Sequence, residues 1–558
     1  MSNNRWHLRC MMIVGLMLFV GGCQENSIPS DALDGIDPVG LAKHIRTLSS
    51  DAFEGRKPTS RGEDLTIEYM TRTFEGLGLE PGNGTSWVQE VPMVSITSDP
   101  EMTLTIERDE GARDFSYGSD FVAWTQRVID MSVIRESEMV FVGYGIVAPE
   151  YGWNDYEGID VRGKTVIVLV NDPGFVTDSV GQFNGRSMTY YGRWSYKYEE
   201  AARQGAAGVF IVHETEAAGY PWEVVVGSWS GPQFGLVTED ANLSRPSIEG
   251  WLTRTAAVEL FAYAGLTFSE FEERAVYGDF QAASLNVRAN IAIQTRVERS
   301  ISNNVAGRIV GSQRPDEVVV YIAHWDHLGR DESLEGDQIF NGALDNATGT
   351  AGLIEVAEAF TLLDPPPARS VLFLAVTAEE QGLLGSAYYS DSPLYPLNKT
   401  VAAINMDGLN TLGPTNDITI IGLGNSELDA YLETASSAHG RVVKADPEPE
   451  KGYFYRSDHF NFAKHGVPAL YTHAGIDHVE LGEQYGRDMR QKYVAERYHK
   501  PTDEYDGTWD LDGAVDDLRL LFEVGYRLAQ GPDWPNWAED NEFRAARDQM
   551  MGGVRTNN

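Results

Sequence analysis

The pattern of apolar and polar positions divides the chain into elements, and two of them stand out. Residues 318–323 (VVVYIA) and 371–376 (VLFLAV) are continuous apolar runs with the length and β-branched content of buried strands. Each ends abruptly in residues that a core rejects: His324 and Asp326 after the first, Glu379 and Glu380 after the second. Between them, Asp345 and Asn346 precede a helical pattern with Leu353, Ile354, Ala357 and Phe360 on one face. Pro365, Pro366 and Pro367 then break the chain before the second strand. Ligands of open α/β sheets bind at the carboxyl ends of strands. Three segments therefore aim one imidazole and four carboxylates at one edge, which is the composition of a metal site built for chemistry.

The same pattern predicts the remaining elements. Leu41, Ile45 and Leu48 mark a short helix, and Leu65, Tyr69, Phe74 and Leu77 a longer one that stops at Gly78 and Pro81. The segment between them, SSDAFEGRKPTSRG, reads as a polar loop. From about Pro92 the character changes to strands (MTLTIERD, EMVFVGYGIV, GKTVIVLVNDP), with a helix and strand in SYKYEEAARQGAAGVFIV. A further apolar strand precedes Asp407, SDHFNFAKHG reads as a helix with Ser457 as its N-cap, and VPALYTH as a strand. The last amphipathic helix starts near Leu511, carries Val515, Leu518, Leu521, Phe522 and Leu528, and stops at Gly531 and Pro532.

At 558 residues the chain exceeds one hydrophobic core, and 42% hydrophobic content fits a globular protein. Asp and Glu number 83 against 44 Lys and Arg, a formal charge of -39 that argues against nucleic acid or anionic lipid heads as partners. Arg5 and Arg9 precede an apolar run, residues 11–20, too short for a stable membrane span. It ends in Gly21, Gly22 and Cys23, which resembles a bacterial lipoprotein signal. Cleavage before Cys23 would leave a lipidated cysteine, placing the protein at a bacterial membrane, facing the periplasm or cell exterior. The second cysteine, Cys10, would leave with the signal, so no disulfide is expected.

The ordered set AHWDHLG, GALDNATGTAGLIEVA, FLAVTAEEQGLLGS, NMDGL, SDHFNF and YHKPTDEYD resembles successive motifs of the co-catalytic di-zinc aminopeptidase family. That family also includes glutamate carboxypeptidase and glutaminyl cyclase. The resemblance implies an α/β fold with a mixed central sheet flanked by helices. It also implies two zinc ions per chain, which supply a Lewis-acid surface and a bridging hydroxide for amide hydrolysis. Asp345 would bridge the ions, His324 and Asp407 would complete one shell, and Glu380 and His499 the other. Asp326 would orient His324 from behind, and Glu379 would be the general base. Tyr498 resembles the family tyrosine that polarises the scissile carbonyl, or else packs at the rim. His478 competes with His499 for the last ligand position, while His327 and His459 are expected to hydrogen-bond near the site.

The stretches VFVGYGIVAPEYGWNDYEGIDVRGKTVIVLVNDP and KYEEAARQGAAGVFIV resemble a protease-associated domain, a β-rich insert of several peptidases. The expected organisation is a signal peptide (1–22), a tether (23–37), and the first part of the peptidase domain (38–91). The insert (92–289), the catalytic part (290–535) and a charged tail (536–558) follow. The implied function is an exported aminopeptidase acting on peptides. A glutamate-releasing carboxypeptidase, for whose terminal-carboxylate recognition Arg456 is near enough in sequence to matter, and an inactive binding protein on the same scaffold are the alternatives.

Overall fold

The computed structural model describes residues 28–109, 111–179 and 181–555. The expected signal peptide and Cys23 lie outside the described residues. The strand Arg314–His324 lies inside a mixed sheet, parallel to Arg369–Val376 on one side and to Thr400–Asn405 on the other. Thr400–Asn405 continues in parallel to Ala469–Ala474, beyond which Asp417–Ile420 runs antiparallel. On the far side, Arg369–Val376 pairs antiparallel with the strand Ala283–Ile309.

Both faces of this sheet are covered, which is why its strands read as unbroken apolar runs. Val319, Tyr321 and Ala323 point into one core with Phe360 and Phe522 of the helices Thr348–Thr361 and Asp512–Gln530. Val318, Val320 and Ile322 point into the other, with Tyr389 and Phe462. The fold is the mixed α/β sandwich expected. Among the described residues no helix is long and apolar enough to cross a membrane.

Residues 102–293 build two further cores around a second sheet. Its strands Met131–Phe141, Thr165–Leu169, Gly208–His213 and Ile248–Thr253 are parallel neighbours. Helices such as Trp194–Arg203 and Arg254–Tyr263 cover them. The insert is thus more α/β than the β-rich module expected.

Four boundaries differ from the sequence reading. The strand Ala283–Ile309 runs 27 residues without a break, pairing first with the insert and then with the catalytic sheet. Between these, it pairs with Val88–Ser98 from Ser98↔Thr295 to Val88↔Val305. The expected borders at 91/92 and 289/290 therefore fall inside a hydrogen-bonded ribbon, because both strands keep ladder partners across them. Residues 28–37, expected as tether, include the helix Ser30–Asp34, and Ala32 and Ile36 are fully buried in the catalytic core. The charged tail is docked as well: Trp537 and Phe543 are core residues, and buried Arg547 donates to the carbonyls of Thr400 and Val401.

Candidate metal centre

The strand ends deliver their polar residues to one place. His324 is the last residue of its strand, and its Nε2 lies 3.2 Å from Asp407 Oδ1 and 3.4 Å from Asp345 Oδ1. The other oxygen of Asp345 lies 3.3 Å from His499 Nε2, which is itself 3.1 Å from Glu380 Oε2. One carboxylate thus presents each oxygen to a different imidazole, and each imidazole has a further carboxylate beside it. Glu379 faces the His324 side, where ligand atoms of His324, Glu379 and Asp407 lie within 4.8 Å of one another. All five expected metal ligands and the expected base converge here.

Asp326 is fully buried behind His324. Its two side-chain oxygens accept the backbone N–H groups of Glu379 and Glu380, at 3.1 and 3.4 Å, so the carboxylate fixes the glutamate loop. The imidazole instead meets the Asp326 backbone carbonyl, 3.2 Å from His324 Nδ1, with the carboxylate 3.9 Å away. Tyr498 stacks on His499 with ring centroids 3.9 Å apart and stays 45% exposed at the rim. His478 is elsewhere in role: its Nδ1 accepts the N–H groups of Glu480 and Leu481 ahead of the helix Gly482–Glu496. His327 is drawn closer than expected. Its Nδ1 lies 2.5 Å from Glu380 Oε1, yet the two are not aligned as a hydrogen bond, and both atoms are buried without a partner. His459 is buried between Phe454 and Tyr471, again with neither nitrogen bonded.

Several supporting residues carry no obvious sequence signal. Arg56, in the supposed polar loop, is fully buried and donates to the carbonyls of Trp325, Leu48, Asn341 and Gly342 at 2.7–2.8 Å. Burial pushes this guanidinium down to about 10, against the pull of Asp326, Asp503, Asp345 and Glu380. Asp503 accepts the N–H groups of Leu344 and Asp345. Asn346 ties the Asp345 loop to the Asp407 loop by donating to Met406 O and accepting from Gly408 N. Ser457 does not cap its helix, which begins at His459; its hydroxyl instead donates to Asp407 Oδ2 at 2.6 Å. Gly342, at φ +53, admits no side chain, since a Cβ would collide with Asp345 O and the His327 ring.

The electrostatics are those of a site short of positive charge. Burial, with Glu380, Asp407 and Asp458 adding to it, pushes the Glu379 carboxyl well up, while His324 opposes. Burial would hold His324 neutral, but Glu379, Asp407 and Asp345 outweigh it and push its pKa well up. Burial likewise lifts Asp326 to about 8. Carboxylate oxygens and imidazole nitrogens are the donor set of zinc. The two oxygens of Asp345 aimed at separate imidazoles fit two divalent cations, and on the second side ligand atoms of His327, Asp345 and Glu380 lie within 4.8 Å of one another.

A carboxylate–imidazole cluster at the carboxyl edge of a mixed α/β sheet defines the class as that of the metallohydrolases. Residues 304–522 match the family model described as Peptidase family M28. Over 242 residues, 41% of this chain and 31% of the relative, it is 27% identical to Aminopeptidase NAALADL1 of Mus musculus. It is 32% identical over 241 residues, 40% of this chain and 49% of the relative, to a probable zinc metalloprotease of Pyrenophora teres f. teres. The chain therefore spans from 31% to 49% of the length of these two curated relatives. The aminopeptidase from Aneurinibacillus sp. strain AM-1 overlays with a TM-score of 0.49 at 19% identity, over 90% of this chain and 96% of that one.

Proposed function

We propose that this chain is a di-zinc aminopeptidase that releases N-terminal residues from peptides. The observation that carries the reading is Asp345, whose two oxygens serve two imidazole–carboxylate pairs, His324 with Asp407 and His499 with Glu380. These five residues would hold two zinc ions, which when bound supply a Lewis acid and an acidified water. Glu379 takes the proton from the attacking water and returns it to the leaving amine nitrogen, a role suited to a carboxyl whose proton affinity burial has raised. Asp326 holds the Glu379 backbone and the back of His324 in register. Ser457 and Asn405 fix Asp407 through a short relay, Asn405 Nδ2 donating to Ser457 Oγ at 2.7 Å. Tyr498, half exposed and stacked on His499, supports the reading that its hydroxyl contacts the substrate carbonyl.

Among the relatives, three aminopeptidases stand beside one glutamate carboxypeptidase 2 homologue, and the preponderance favours N-terminal release. Metal analysis of the purified protein, run beside aminoacyl anilides and C-terminal-glutamate dipeptides, tests the reading. Zinc-dependent cleavage of the anilides is expected, and cleavage of the glutamate dipeptides alone would overturn the specificity. Export and lipidation at Cys23 rest on the leader pattern. Cys23→Ser should abolish membrane fractionation and the acyl mass, and unchanged fractionation would refute the anchor.

A further inference from the structure

The five-ligand reading leaves one imidazole at the metal centre unused. His327 is fully buried, and among the described residues neither of its ring nitrogens makes a hydrogen bond. A buried polar group left in that state is costly. The ring is nevertheless firmly placed. The His327 backbone N–H donates to Arg56 O at 3.3 Å, and a Cβ added at Gly342 would come within 2.5 Å of its Cγ and Cδ2.

Its surroundings repeat, at Glu380, the pattern seen at Asp345. Asp345 gives one oxygen to His324 and the other to His499. Glu380 gives Oε2 to His499, at 3.1 Å, and Oε1 to His327 Nδ1, at 2.5 Å. Imidazoles and carboxylates therefore alternate in the order His324, Asp345, His499, Glu380, His327. The last contact is close but not aligned as a hydrogen bond, and Glu380 Oε1 makes none elsewhere. Two donor atoms lying side by side, neither directed at the other, are arranged as ligands of a common ion are. Ligand atoms of His327, Asp345 and Glu380 all fall within 4.8 Å of one another. The rings of His327 and His499 meet edge to face, with centroids 5.9 Å apart, so each reaches a different oxygen of Glu380.

We propose that His327 is a sixth protein ligand, which gives the second cation position two imidazoles, His327 and His499, beside Asp345 and Glu380. The proposal rests on the metal reading of this site. The first position keeps one imidazole, His324, with Asp345 and Asp407. Imidazole nitrogen suits zinc, whereas a set richer in oxygen also takes manganese or magnesium. A buried second imidazole also frees the ion from dependence on His499 alone, whose side chain is 38% exposed and whose φ is +55.

The test isolates the second position. Asp407→Ala protein carrying one zinc per chain is measured by X-ray absorption, which counts imidazoles from their multiple scattering. Two imidazoles per zinc are expected, against one if His499 serves alone. Adding His327→Leu should lower the count to one and weaken zinc binding, read by competition with a chromogenic chelator, at least about 10-fold. His327→Gln can hydrogen-bond to Glu380 but is a poor zinc ligand, so it should behave as the leucine variant does. Recovery of affinity by glutamine would mean that the ring only holds Glu380, and would overturn the ligand. One imidazole per zinc with His327 intact would overturn it as well, whether or not any His327 variant folds. Native protein that binds no zinc would remove the metal reading itself. Two zinc ions and peptide cleavage, with one imidazole at the second position, would remove His327 alone.

Discussion

Two buried ionic clusters invite comparison, one in the insert and one in the catalytic region. In the insert, Asp155 and Asp172 are buried around the fully buried Lys197, whose ammonium donates to Asn171 O at 2.8 Å. Asp155 accepts from Trp153 Nε1 and Ile146 N, and Asp172 from Thr189 and Gly174. Burial pushes both carboxyls up, and Lys197 pulls them back. That cluster supplies its own cation and its own donors. In the catalytic region Asp326, Asp345, Glu379, Glu380 and Asp407 crowd together, and Arg56, which feels their charge, spends its donors on four backbone carbonyls. A cluster that completes itself holds a fold together, whereas one left incomplete is a site for a cation from outside.

That contrast can be broken most sharply at Glu379. Glu379→Gln keeps the shape but cannot take a proton, so kcat should fall by at least ~10²–10⁴-fold with KM little changed and zinc retained. Near-normal turnover in fully loaded Glu379→Gln protein would remove the general base. In the insert, Lys197→Met leaves the buried Asn171 carbonyl without its donor and two buried carboxyls without a nearby cation, and should destabilise the region by about 1–3 kcal/mol. Hydrogen exchange should find that loss confined to residues 102–293, with zinc content unchanged. Chelation should do the reverse. A metal present at about 1,000 times its Kd contributes about 4 kcal/mol, so its removal should deprotect the loops at Asp345, Glu380 and Asp407 and leave the Lys197 core protected. The smallest effect is at His478, which binds two backbone N–H groups and no site residue. His478→Ala should cost about 1 kcal/mol, as a lost cap does, and leave the zinc content as it was; a drop in zinc would reverse the roles of His478 and His499.

The comparison also explains what could be read before the fold was known. His324, Glu379, Glu380 and Asp407 were legible because a strand buried on both faces is unbroken in sequence, and charges at its end stand out. Arg56 was not legible: an arginine among Ser, Asp, Lys and Pro has the composition of a solvated loop, and its burial comes from carbonyls near residues 325 and 341. Ser457 looked like a helix cap because local rules see only the helix, whereas Asp407 lies 50 residues away in sequence. The ends misled for a similar reason. Ala32, Ile36, Trp537 and Phe543 sit in polar surroundings along the chain and find their apolar partners only in the assembled cores. Domain borders were invisible because the strand Ala283–Ile309 runs on unbroken while changing sheets.

The central claim is that Asp345 is shared between two cation positions, and counting metal tests it most directly. Elemental analysis of purified protein should find two zinc ions per chain, and Asp345→Ala should lose both, whereas Asp407→Ala should weaken one. A native protein that saturates at one ion per chain, or an Asp345→Ala variant that still holds two, would contradict the account.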